Sequence, residues 1–302
     1  MKILLAGCTG FVGLALIERL SEEKHQLIIL TRQPRKYEYL KKIDVEILGW
    51  DGKSVQARDV DLSAVDAVIN LSGAGIADKR WTADRKKEIL KSRVQSTQAL
   101  VEWMKTVSQK PEVFINASAI GFYGPVTGGD VTEANERGQG FLPEICERWE
   151  KAAIPAEALG IRTIRLRIGI VLEQGGGALK KMLTPFLLFM GGPPGSGKQW
   201  MSWIHRKDLI EIIHFSLKHK ALSGAVNATA PEPVTMKAFC NILGHVIKRP
   251  VWAPVPGFML KLLLGELSDL LLTGQRVIPK KMLQEGFNFG YATLRPALED
   301  IL

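Results

Sequence analysis

The stretch KILLAGCTGFVGLALIERL, residues 2–20, decides the fold. KILLA is an apolar run of strand length, GCTGFVG follows at once, and LALIERLSEE then places apolar residues at 14, 16, 17 and 20, one face of a helix. Strand, glycine turn and helix in that order give meaning to Gly7, Gly10 and Gly13, which stand in G-x-x-G-x-x-G. Such glycines serve a tight turn, close approach of backbone to a pyrophosphate, and close helix packing, while the helix N-terminus offers unpaired N–H groups and partial positive charge. A dinucleotide is the natural ligand.

Working outward, QLIIL (26–30) reads as a second strand and ends in LTRQPRK, with Thr31, Arg32, Arg35 and Lys36 and no acid. An acid there binds the adenine ribose 2′-hydroxyl of NAD, whereas an arginine accepts the 2′-phosphate of NADP. The expected cofactor is therefore NADP. VEIL (45–48), AVIN (67–70), VFIN (113–116) and RTIRLRIGIVL from 162 read as further strands, with helices over 84–107 and 142–158 between them. This alternation predicts an α/β fold of Rossmann type, a doubly wound parallel sheet with helices on both faces. Past residue 170, glycine and proline gather at the joins and helical patterns dominate from about 235. The expected organisation is a dinucleotide-binding domain over 1–170, to which 205–230 returns, and a smaller, mostly helical substrate-side domain over 171–302.

Composition agrees with a soluble enzyme or binding protein: 302 residues, 46% hydrophobic and 24% charged. The apolar stretches PFLLFM and FMLKLLLGELSDLLL are too short or too interrupted by charge to span a bilayer, so a cytoplasmic location without a membrane partner is expected. Cys8, Cys146 and Cys240 form no C-x-x-C pair, and the five histidines show no metal spacing, so no metal site is expected. The net charge of +9 includes a basic run from Lys79 to Arg93, but no nucleic-acid motif accompanies it. A phosphate-bearing small ligand accounts for some of these charges.

A second glycine-rich stretch, GGPPGSGKQW (191–200), places Gly192, Gly197 and Lys198 at the spacing of a phosphate-binding P-loop. Its chemistry fails. Gln199 stands where a magnesium-holding hydroxyl belongs, no helix pattern follows, and Pro193 and Pro194 remove two N–H groups from the loop. A tight turn in the substrate-side domain is expected instead.

Together GCTGFVG, NLSGAGI (70–76), SAIGFYG (118–124) and RLRIGIVL (165–172) resemble the extended short-chain dehydrogenase/reductase superfamily. RW at 80–81, SR at 92–93, WE at 149–150, GGPPGSG, SWIH and GQRVIP (274–279) resemble its atypical YfcH-like, SDR39U1-like epimerase family, over essentially the whole chain. The resemblance implies that Gly7, Thr9, Gly10, Phe11, Val12 and Gly13 form the cofactor turn, and that Thr31 and Arg32 meet the adenosine end. It places Leu71, Ser72 and Gly73 as a backbone cradle and sets Glu88 and Arg93 on the helix beside the cofactor. Superfamily members are often dimers, so a homodimer fits the resemblance.

The superfamily's Tyr-x-x-x-Lys proton relay is missing. Of the four tyrosines only Tyr37, with Lys41, has the spacing, and it lies just after the second strand, in the wrong place; the helix that should carry the pair reads GFLPEICERWEKAA (140–153). Ser118 and Tyr123 after the fifth strand, and Glu133 beyond them, are the replacement candidates, with Ser118 one residue further from Tyr123 than the superfamily spacing. His205 titrates near neutrality but reads more simply as a packed histidine. Two functions stay open: an NADP-dependent oxidoreductase or epimerase acting on a small molecule such as a carbonyl compound or nucleotide sugar, and a non-catalytic NADP-binding sensor.

Overall fold

A computed structural model describes residues 1–55 and 61–302. Its central sheet is parallel and has seven strands: β1 (Lys2–Ala6), β2 (Gln26–Thr31), β3 (Val45–Gly49), β4 (Ala67–Asn70), β5 (Val113–Ala119), β6 (Arg162–Ile168) and β7 (Gly224–Ala228). They lie in the order β7-β6-β5-β4-β1-β2-β3. The order reverses between β1 and β4, and a crevice opens where neighbouring strand ends diverge to opposite faces.

The strands read as unbroken apolar runs because both faces are covered. Leu16, Ile17 and Leu20 of α1 (Phe11–Glu22) pack on one face with Ile3 and Ile29. Leu100 and Met104 of α2 (Ala83–Thr106) pack on the other with Leu4, Val68 and Phe114, beside Ala153 of α3 (Phe141–Ala153). α3 gives way at Ala153 to a 3-10 turn over Ile154–Leu159, which carries Pro155 near its start, so the predicted helix over 142–158 is shorter than read.

RTIRLRIGIVL is not one strand. It leaves the sheet at Gly169, where a Cβ would come within 2.8 Å of the Ser202 carbonyl oxygen, and Ile170–Leu172 pairs instead with Trp203–His205. A third core then forms from α4 (Gly177–Leu187), α6 (Met236–Val246) and the final helix Leu294–Ile301, with Phe186, Phe239 and Leu298 packed around Trp203. Between α4 and α6 in the chain, α5 (Arg206–Lys218) goes back to the sheet: Leu209, Ile212 and Ile213 join the core under α1, and β7 pairs with β6. Among the described residues, no helix is long and apolar enough to cross a membrane, and no cluster of His, Cys, Asp or Glu could hold a metal ion.

Candidate functional site

The turn after β1 faces a cavity of about 800 Å³ at the carboxyl ends of β1, β2 and β4. Gly7 takes φ +71°, and a Cβ there would lie 2.5 Å from Cα of Ser72, so only glycine lets β1 and β4 close to this distance. Gly13 is buried with its Cα against the backbone of Cys8, which seats α1 on the turn. Gly10 has open space where a Cβ would stand. It is the N-cap of α1, with no side-chain cap and no acid in the first turn, so the first N–H groups of that helix are offered to a ligand.

Gly7, Thr9, Gly10, Thr31, Arg32, Leu71, Ser72, Gly73 and Glu88 all line this cavity. Four of the expected cofactor residues stand off it, and so do Ser118, Tyr123 and Glu133. Phe11 packs under Gly176 and Gly177, Val12 joins the core beneath the sheet, Gly13 seats the helix, and Arg93 braces the wall from behind. The Arg93 guanidinium sits 3.1 Å from where a Gly73 Cβ would be and donates to the carbonyls of Ala74 and Ile89, each at 3.0 Å. Burial lowers its pKa. Tyr37, whose pairing with Lys41 means nothing here, braces the turn by donating to the Thr9 carbonyl at 3.3 Å.

Two polar atoms at this cavity are buried and have no hydrogen-bond partner among the described residues: Ser72 Oγ and the indole Nε1 of Trp50. Buried donors of this kind are costly unless a ligand satisfies them. Lys87 and Lys91 line the opposite wall from α2, which explains part of the basic run at 79–93. The bare helix N-terminus, the two buried polar atoms and the cations Arg32, Lys87 and Lys91 fit an elongated phosphate ligand, and Asp51, Asp84 and Glu88 line the same cavity.

Ser118, Tyr123 and Glu133 are brought into one chain of hydrogen bonds. Ser118 Oγ donates to Glu150 Oε1 at 2.7 Å, and Arg167 grips the same carboxylate through Nε and Nη2 at 2.8 and 2.9 Å. Arg167 Nη1 donates to the Tyr123 hydroxyl at 2.9 Å, which donates onward to Asn227 Oδ1 at 2.6 Å. The Asn227 N–H donates to Glu133 at 3.1 Å, as does the Lys281 N–H at 3.2 Å. Burial works against the charge on Arg167, yet Glu150 and Tyr123 together hold its pKa above the ordinary value. Burial pushes the Tyr123 phenol up, against the pull of Arg167, so it is a neutral donor and not a tyrosinate.

His205 stands elsewhere, as the N-cap of α5. Its Nδ1 accepts from the Lys207 N–H at 3.1 Å, its ring stacks on Tyr291 at 3.9 Å, and burial pushes its pKa down to about 4. GGPPGSGKQW is a packed join: Gly192 lies against the backbone of Ala253, Gly197 against Lys237, and Gln199 donates to the carbonyls of Pro194 and Leu271. Lys198 points away into solvent.

Comparison with known proteins agrees with this architecture. Residues 3–140 match the NAD dependent epimerase/dehydratase family, and residues 255–301 match a domain of unknown function, DUF1731. The epimerase family protein YfhF of Bacillus subtilis is 38% identical over 303 residues, which span all of this chain and 98% of that protein. The chain belongs to this epimerase family. A chloroplastic SDR39U1 homolog of Arabidopsis thaliana is 37% identical over 307 residues, spanning all of this chain and 87% of the homolog. The crystal structure of human epimerase family protein SDR39U1 with NADPH superposes with a TM-score of 0.88 at 30% identity, covering all of this chain and 99% of that one.

Sequence reasoning about this epimerase family member missed Glu150, Arg167 and Asn227, though one signal was available. Arg167 sits inside an apolar strand and Glu150 among apolar residues on α3, and a buried charge of either sign requires the other. Trp50, Lys87 and Lys91 left no comparable mark, because nothing in the sequence tells which face of α2 or which end of β3 meets the turn.

Proposed function

We propose that this chain binds NADP(H) in the cavity beside Gly7 and moves a hydride to or from a small substrate. The observation that carries the reading is Arg32, set at the carboxyl end of β2 on the cavity wall with no acid beside it on that strand. The NADPH-bound human relative supports it. In this reading the turn from Gly7 to Gly13 and the N-terminus of α1 hold the pyrophosphate, Thr31 and Arg32 the adenosine 2′-phosphate, and Leu71, Ser72 and Gly73 the backbone cradle. Arg93 fixes that cradle, and Glu88 restrains Arg85 through a 2.6 Å ion pair at the rim. NADP(H), when bound, supplies the redox chemistry.

Residues 1–170 with 205–230 form the dinucleotide-binding part in this proposal, and the rest of 171–302 closes the substrate side. Ser118, Tyr123 and Glu133 are the proposed polar groups toward the substrate, with Glu150 and Arg167 fixing Ser118 and Tyr123. The raised Tyr123 pKa keeps its hydroxyl protonated. The proposed setting is the cytoplasm. The second reading, a non-catalytic NADP(H) sensor, is favoured by one observation: the hydroxyl protons of Ser118 and Tyr123 are already spent on Glu150 and Asn227.

Calorimetric titration tests the cofactor. NADPH binds about tenfold or more tighter than NADH, and Arg32→Ser erases the difference; tighter NADH binding sinks the reading. Nicotinamide absorbance, followed across a panel of carbonyls, alcohols and nucleotide sugars, separates enzyme from sensor.

A further inference from the structure

The end of α4, the segment 251–256 and helix α7 (Gly257–Leu264) expose a run of large apolar side chains. α7 reads GFMLKLLL and buries none of its residues. Phe258 is 74% exposed and Leu262 78%, and with Met259 and Leu263 they form one stripe at i, i+1, i+4, i+5 that faces away from the protein. Trp252, 67% exposed, continues this surface toward Leu188 and Phe189 at the end of α4. A helix this short gains its stability from packing, and this outer stripe has nothing to pack on among the described residues.

The other end of the surface is held in place by specific contacts. Phe189 closes α4 with φ +61°, a left-handed conformation usually given to glycine, yet an exposed aromatic occupies it. The Trp252 indole donates to the Phe189 carbonyl at 2.9 Å, and the Arg249 guanidinium lies 4.5 Å from the Phe189 ring centre. Gly191 pairs with Val251 and Pro194 with Val255, so the P-loop-like stretch serves as the strut that holds α4 and α7 in register. Strain retained at an exposed aromatic points to a use for that aromatic.

Charge identifies what covers the surface. Residues 174–207 and 233–265 contain no Asp or Glu, while Lys180, Lys248, Arg249 and Lys261 flank the apolar side chains. At the edges of the surface Glu266 pairs with Lys86 and Asp78 lies 3.7 Å from Lys181, while Asp269, an exposed acid, follows beyond the end of α7. A second copy docking by the same face sets cation against cation. An anionic bilayer surface is complementary to both features, taking the lysines at its headgroups and the tryptophan and phenylalanines at the acyl boundary. We propose that this face docks the protein on an anionic lipid surface, lying on the membrane without spanning it. Arg80 donates to the Leu262 carbonyl at 3.4 Å, which ties α7 to the segment leading into α2.

Flotation of the full chain with vesicles tests this. The protein floats with vesicles of phosphatidylcholine containing roughly a third phosphatidylserine, not with phosphatidylcholine alone, and added salt weakens the binding. Lys180→Glu with Lys261→Glu, and separately Phe258→Ser with Leu262→Ser, each lower partitioning about tenfold or more, while circular dichroism and NADPH binding stay unchanged. No flotation with the anionic vesicles, or equal flotation with both compositions, overturns the proposal. So does a dimer in light scattering that Phe258→Ser and Leu262→Ser abolish without any lipid binding.

Discussion

Two glycine-rich turns, Gly7–Gly13 and Gly191–Gly197, carry comparable motifs and do opposite things. In the first, β1 closes on β4 at one side, and the other side, at Gly10, opens on the cavity with a bare helix N-terminus behind it. In the second, the backbone is closed on both sides, by Ala253 and Lys237, and no helix starts there. Gly10 of the first turn leaves open space on the cavity, whereas Gly192 and Gly197 of the second make room for the protein's own chain. A phosphate motif therefore means what its neighbours leave open.

Substitutions in the two turns test that contrast, and the largest effect comes from Gly7→Ala. The new methyl group meets the Ser72 backbone in a left-handed conformation, so both stability and NADPH affinity fall, the latter by about a hundredfold, in calorimetry alongside a urea titration. Gly192→Ala drives a methyl into Ala253 and costs about 2 kcal/mol by urea unfolding, but leaves NADPH affinity within about twofold. A comparable loss of affinity there would erase the distinction between the turns.

A smaller effect is set by pH and belongs to the segment after the second turn. His205 has a folded pKa of about 4 against an ordinary 6.5, so the unfolded chain takes up the proton first as pH falls. Stability from this group is level above 6.5, drops between 6.5 and about 4, and then stays flat. His205→Asn keeps a capping side chain and flattens that slope, read as urea midpoint against pH. Smallest of all, Lys198→Ala changes stability by less than about 0.5 kcal/mol and leaves nucleotide binding untouched. Loss of ATP or NADPH binding in that variant would restore the P-loop reading.

Six of the seven strands were legible because they announce themselves twice, by apolar runs and by the turns that end them; β7, GAVNA, was expected only as part of the returning segment 205–230. The glycine turn and the cavity it lines were legible for the same reason, since Gly7 and Arg32 each follow a strand. The hydrogen-bond chain from Ser118 to Glu133 was not, because its members come from separate elements and Tyr123 meets Asn227 across 104 positions. The break at Gly169 was hidden as well. Apolar residues continue on both sides of it, and only the approach of Ser202 reveals that the chain has changed partners.

The return of α5 and β7 to the sheet has a consequence for how the molecule comes into being. A ribosome releasing this chain from its amino end exposes β6 as a raw edge, and the strand that covers it arrives only after α4 and the second glycine turn have been made. The seven-stranded sheet thus cannot be completed in the order in which it is written. A fragment stopped at residue 170 lacks α5 and leaves Leu16 and Ile17 of α1 partly uncovered, which makes it a poor choice for expression. One ending after residue 230 carries both missing pieces.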